Sequence, residues 1–154
     1  MFYFLLALSV CIGLGIFLYR QNNRLSITRL EYASDKLPQA SDTLRIACMA
    51  DLHNKCFSTA QQPILEALRR EAPDLIDGHT GPDMQSAITL ISGCLQIAPV
   101  YYVSGNNEAK NPYSASLFTQ LEQLGVHLLR NNSAVFYCGT EPIYLLGVDD
   151  MAFQ

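Results

Sequence analysis

From Phe2 to Tyr19 the chain carries no charged residue. A helix of that length, at about 1.5 Å per residue, spans a hydrocarbon core of about 30 Å. A cleaved signal peptide wants a basic stretch before the apolar run and small residues at a cleavage point after it. Nothing basic precedes Phe2, and Leu18-Tyr19-Arg20 makes a poor cleavage point. Residues 1–20 are therefore expected to form an uncleaved transmembrane anchor, with a signal peptide as the alternative. Arg20, Arg24 and Arg29 follow the run, and basic flanks tend to stay on the cytoplasmic side. The expectation is a single-pass membrane protein with its C-terminal portion in the cytoplasm.

The rest of the chain has a composition that bears on partners. With a formal net charge of −4 and no cluster of Lys or Arg, it lacks the basic footprint that phosphate backbones require, so nucleic acid is not an expected ligand. The cysteines Cys11, Cys48, Cys56, Cys94 and Cys138 form no CxxC pair and are expected as buried or free thiols.

Residues 21–43 read as a juxtamembrane strand and linker: Leu25 to Tyr32 alternates apolar and polar residues with period two, the pattern of a half-buried strand. Residues 44–154 read as an α/β domain. Leu44 to Ala50 is nearly continuous in apolar residues, as expected of a strand covered on both faces. Helices are expected over Thr59 to Glu71, with Pro63 in the first turn, over Ala87 to Ile97, with Gly93 a mild penalty, and over Leu117 to Leu124, closed by Gly125. Val100 to Val103, Val126 to Leu129, Ala134 to Cys138 and Ile143 to Val148 read as strands, with a turn at Asn131-Asn132. Asn131-Asn132-Ser133 also matches a glycosylation sequon, which a cytoplasmic location would leave silent. Alternation of strand and helix argues for parallel strands in a layered sheet.

Chemistry concentrates where strands end. Asp51-Leu52-His53 directly follows the first apolar run, and residues two apart on an extended exit point the same way. A carboxylate beside an imidazole suits Mn, Fe or Zn. Alone, this pattern is more readily a helix or turn cap at Asp51 beside an exposed His53. A second polar cluster, Ser104-Gly105-Asn106-Asn107-Glu108, follows the strand at Val100 to Val103.

Together, D-x-H after one strand and G-N-x-E after a later one, within "LRIACMADLHN", "APDLI", "IAPVYYVSGNNEA" and "LLGVDD", resemble the membrane-anchored branch of the calcineurin-like metallophosphoesterases. The resemblance covers residues 44 to 150. It implies a layered α/β phosphoesterase fold and a site in which two divalent cations act on a phosphoester. Carried over by motif, Asp51 and His53 would bind the first metal and Asn106 the second.

The departures matter as much. The family's G-N-H-E reads G-N-N-E here, so Asn107 stands in the catalytic position of a histidine, and an amide supplies no proton at neutral pH. The family's G-D motif, whose aspartate bridges the metals, is missing where Pro73-Asp74-Leu75-Ile76 runs straight into Asp77-Gly78-His79. A short deletion fusing two D-L-I stretches is the expectation, with the strand itself lost and Asp74 left as a compromise metal ligand. Asp77, His79 and Asp83 are fallback ligands. His127, set in a strand pattern, reads as structural, and no later G-H-x-H occurs. Such a chain is expected to be an incomplete, truncated version of the fold, inactive as a hydrolase for want of metal ligands. Three readings stay open: a metal-dependent phosphoesterase, a membrane-tethered metal- or phosphate-binding module without turnover, and a degenerate gene product. The anchor makes a membrane-associated phosphoester the expected kind of substrate.

Overall fold

The structure, a computed structural model, describes residues 2–39, 42–49, 57–58, 60–78 and 84–153. The chain divides into two compact units, Met1–Tyr32 and Ala33–Gln154. In the first, helix α1 runs over Phe2–Asn22. Its segment Tyr3–Asn22, with mean hydropathy 1.9, is long and apolar enough to cross a membrane or to serve as a signal sequence. The helix ends where Asn23 turns back, its backbone N–H and its side-chain amide both donating to the Tyr19 carbonyl. The strand expected over Leu25 to Tyr32 is not formed. Leu25 is half-buried, but Ile27, Leu30 and Tyr32 are open to solvent, Leu30 at 89% and Tyr32 at 82%. Period-two alternation specifies a strand only where a neighbouring strand takes its hydrogen bonds, and among the described residues none pairs with this segment.

The second unit is α/β. Strands β1 (Ile46–Met49), β2 (Leu75–Gly78), β3 (Val100–Tyr102) and β4 (His127–Leu128) form one parallel sheet in the order β1-β2-β3-β4. Between them run α2 (Gln62–Glu71), α3 (Met84–Cys94), α4 (Asn106–Lys110) and α5 (Ser114–Gln123). A separate antiparallel hairpin, β5 (Asn132–Cys138) and β6 (Glu141–Gly147), precedes a 3-10 turn at Met151–Phe153.

Alternation assigns the sheet two faces. Ile76, Val100 and Tyr102, each 0% exposed, share one face with Gly78. Helix α3 covers that face: a side chain added at Gly78 would meet Ile91 Cδ1 at 3.1 Å. Ile64, Leu65, Ala67 and Leu68 form the buried stripe of α2, which packs on α3, and α3 packs on α5. The glycine that looked like a helix penalty has a function in this packing. A Cβ at Gly93 would lie 2.5 Å from Leu65 Cδ1, so its absence lets α2 and α3 approach. Full burial of a large side chain stabilises by about 1.5–3 kcal/mol, and most of the core is on this side.

On the opposite face, Leu75, Tyr101 and Leu129 form a smaller cluster against Val103 and against Ala134, Phe136 and Leu145 of the hairpin. Asn131, at φ 47°, makes the turn into β5. Gly147 closes the hairpin onto the sheet, since a Cβ there would come 2.1 Å from the Leu129 carbonyl oxygen.

Four expectations change. β1 is not covered on both faces: among the described residues it pairs only with β2, and Ile46 is 54% exposed. The strand after Pro73-Asp74 is not lost. Asp77 and Gly78 extend Leu75-Ile76 into β2, which pairs with β1 on one side and β3 on the other. The last two strands do not continue the parallel sheet but pair with each other, because the two residues between them, Gly139 and Thr140, leave room only for a hairpin. Gly139 takes φ 62° there. Finally, the Gly105 loop continues into the short helix α4.

Candidate functional site at the carboxyl ends of the parallel strands

Register sets where the motifs can meet. Met49 pairs with Gly78, Gly78 with Tyr102, and Tyr102 with Leu128, so the four strands end at one level. With strands about 4.8 Å apart, the exits of β1 and β3 are separated by about 10 Å. In open α/β sheets this is the end at which ligands gather. Asp51 and His53 follow β1 in the chain, and His79 and Asp83 follow β2, but all four lie outside the described residues. Asn106 and Asn107 follow β3 and open α4.

The β3 exit is braced by buried polar contacts. Glu108, 2% exposed, accepts a hydrogen bond from the Gly105 backbone N–H at 2.8 Å and one from the Tyr102 hydroxyl at 3.2 Å. This is half of a capping box, because Gly105 has no side chain to return the bond. Ser104, 6% exposed, donates its hydroxyl to Asp149 Oδ1 at 2.5 Å. Arg130 grips the same carboxylate with two bonds, Nε to Oδ1 at 3.0 Å and Nη2 to Oδ2 at 2.9 Å. The Asp149 N–H donates to Asn131 Oδ1 at 3.0 Å. The guanidinium lies 4.4 Å from the Phe118 ring centroid and 4.6 Å from that of Phe153, a stacked arrangement that suits Arg. The Arg130 hydrogen bonds hold the Asp149 carboxyl below the usual carboxylate range, against the opposing effect of burial and with help from Ser104.

The Asn106 side chain, by contrast, is exposed. No hydrogen bond to its carboxamide is formed among the described residues. Asn107 is half-buried.

The remaining candidates lie elsewhere. Asp74 sits at the amino end of β2, where its Oδ2 accepts from the Arg45 N–H at 2.7 Å and its own N–H donates to the Arg45 carbonyl at 2.9 Å. It caps the edge opposite Asn106, so its place as a metal ligand is not supported by position. Asp77 lies within β2 on the hairpin face, level with Cys48, and accepts a hydrogen bond from that thiol at 3.3 Å. Burial first, then the Asp77 bond and charge, pushes the Cys48 thiol up to about 11. His127 is in β4, its ring stacked on Tyr101 with centroids 4.8 Å apart. Among the described residues no group of three or more His, Cys, Asp or Glu is arranged to hold a metal.

Ser104 and Glu108 belong to the polar cluster that the sequence offers after β3, and Asp149 to the LLGVDD stretch, but the sequence assigns none of them, nor Arg130, a part in holding the site. Glu108 had a usable signal, since a Glu three residues after a loop glycine is a helix-start pattern. The Ser104–Asp149 bond joins residues 45 apart, a pairing that no local pattern announces.

No protein-family model, no curated protein and no solved structure matches the chain.

Proposed function

We propose that this chain is a membrane-anchored domain of the calcineurin-like metallophosphoesterase kind, which holds a divalent cation and a phosphoester but turns the ester over little or not at all. The reading rests on the motifs Asp51-Leu52-His53 and Gly105-Asn106-Asn107-Glu108, and one observation carries it furthest. The Asn106 carboxamide is exposed and, among the described residues, unengaged at the carboxyl end of β3, level with the end of β1 from which Asp51 and His53 follow. Asp51 and His53 would hold Mn, Fe or Zn, and Asn106 would supply a neutral oxygen donor on the β3 side. Such a cation polarises a phosphoryl oxygen.

The donor set fits in part. Asn106 is a hard oxygen donor with no hydrogen bond to its carboxamide among the described residues, whereas Asp74 is at the amino end of its strand and Asp77 is engaged by Cys48. In the place of the expected Gly-Asp, Gly78 is followed by His79. A neutral imidazole offers one ring-nitrogen lone pair and does not span two cations about 3.5–4 Å apart as a carboxylate does. Asn107, in turn, provides no acid for a leaving alkoxide. An uncleaved anchor with basic residues after it favours a domain on the cytoplasmic side of a membrane, and a membrane-associated phosphoester is the ligand class that this reading proposes.

The test is the full chain in detergent micelles with Mn²⁺, given a chromogenic phosphodiester and, separately, radiolabelled inorganic phosphate. The expected result is Mn²⁺-dependent phosphate binding, with hydrolysis at the level of Mn²⁺ alone in both the wild type and Asn107→His. Turnover by the wild type would overturn the inactive reading, and phosphate binding indifferent to Mn²⁺ would overturn the metal reading.

A further inference from the structure

The described part of the candidate site has a brace that the motif residues do not include. Ser104 is the residue through which β3 passes into the Gly105-Asn106 loop, and its hydroxyl ends on Asp149, beyond the end of β6. Asp149 is in turn fixed by the bidentate Arg130 and by the Asn131 side chain. Arg130 is fixed by the rings of Phe118 on α5 and Phe153 in the 3-10 turn, and that turn packs on α4 itself. The brace thus reaches the Asn106 loop from both sides, through Ser104 before it and through the 3-10 turn against the helix after it.

We propose that Asp149 is a positioning residue for Asn106: acting through the Ser104 hydroxyl, and itself oriented by Arg130, it sets the exit direction of β3 and with it the placement of the Asn106 carboxamide. Two observations exclude a plain surface ion pair. Surface pairs contribute little and tolerate loose geometry, whereas here the Asp149 side chain is only 12% exposed and accepts bonds from two separate segments, Ser104 after β3 and Arg130 before β5, while its own backbone N–H donates to Asn131 Oδ1. Its third bond goes to the buried Ser104, directly in the loop that bears the ligand candidate, and not to another part of the hairpin. The role rests on the reading of Asn106 as a donor, but its structural half does not.

The experiment uses the full chain in detergent micelles and reads two quantities. The first is Co²⁺ affinity, followed by the visible absorption of the bound ion, for wild type, Ser104→Ala, Ser104→Thr, Asp149→Asn and the Ser104→Ala/Asp149→Asn double variant. The second is amide hydrogen exchange without metal at Gly105 and Ala109, whose N–H groups bond to Glu108 and to the Gly105 carbonyl, with Ile76 in β2 as the control. Loss of one hydrogen bond to a charged group is expected to weaken Co²⁺ binding about 10-fold in Ser104→Ala. Asp149→Asn should match or exceed that loss, the double variant should be no weaker than Asp149→Asn, and Ser104→Thr, which keeps the hydroxyl, should stay within about 2-fold. Exchange at Gly105 and Ala109 should rise about 10-fold in Ser104→Ala while Ile76 is unchanged. Fully additive losses in the double variant, or no recovery by Ser104→Thr, would reduce Asp149 to a general structural residue and overturn the proposal. If wild type takes up no Co²⁺, Asn106 fails as a donor, and the exchange arm decides alone: unchanged exchange at Gly105 and Ala109 in Ser104→Ala overturns the positioning role.

Discussion

The two faces of the parallel sheet are finished to different degrees. On the helical face Ile76, Val100 and Tyr102 are sealed under α3, and Ile91 is 0% exposed. On the hairpin face the buried cluster is the smaller one of Leu75, Tyr101 and Leu129, while Ile46 stays open and Tyr144 and Leu146 point away from the sheet at 69% and 77% exposure. The contrast teaches that stability and site geometry come from different places. The helical face supplies most of the buried area, whereas the hairpin contributes less apolar burial but carries the Asp149 end of the brace on the β3 exit.

Substitutions can break or sharpen that contrast. The largest effect is expected from Ile91→Ala, which opens a cavity under the sheet and should cost about 2–5 kcal/mol in a denaturant titration of the micelle-bound chain. Next is Gly93→Ala: with a Cβ aimed 2.5 Å from Leu65 Cδ1, the helices must part or Leu65 must leave its rotamer, costing about 1–3 kcal/mol. A cost near zero there would show the α2–α3 contact to be looser than described.

Asp149→Asn should cost about 1–3 kcal/mol at neutral pH, and its pH dependence is the sharper reading. The folded carboxyl titrates below its ordinary value, chiefly because of Arg130. Its contribution is therefore fully present above the unfolded value of about 3.9 and is lost as pH falls through the lowered folded value. The stability gap between wild type and Asp149→Asn should hold steady from pH 7 to about 5 and close below about 4. A gap that closes near neutrality would implicate another group.

The smallest effect is expected on the outward hairpin surface, where Leu146→Ser should change stability by no more than about 0.5 kcal/mol. A large loss would mean that this face is covered in the intact protein. The thiols report on the same asymmetry. Burial pushes Cys94, on the helical face, up to about 12, so it should stay unalkylated at pH 8 until the chain unfolds.

The sequence made the helices and the buried strands legible because their signals are local: the apolar stripe of α2, the run at Val100 to Tyr102, the glycine after α5. It misled where the deciding contact was distant. Leu25 to Tyr32 has the right alternation but, among the described residues, no partner strand. The apparent loss of the strand after Asp74 was read from missing apolar residues, yet the pairing of β2 with both neighbours accommodates Asp77 and Gly78. The candidate site was legible as far as Asn106, whose exposure at the end of β3 follows from its motif position. Its brace was not, since Ser104, Arg130 and Asp149 meet only once the hairpin is folded back onto the sheet.

The measurement that bears most directly on the central claim is the number of divalent ions bound per chain. The 154-residue chain in micelles would be dialysed to equilibrium against Zn²⁺ or Mn²⁺, with Asp51→Ala, His53→Ala and Asn106→Ala alongside. A single metal site built on Asp51, His53 and Asn106 predicts about one ion per chain, abolished by either of the first two substitutions and weakened by the third. No bound ion in the wild type, or binding that survives both Asp51→Ala and His53→Ala, would contradict it.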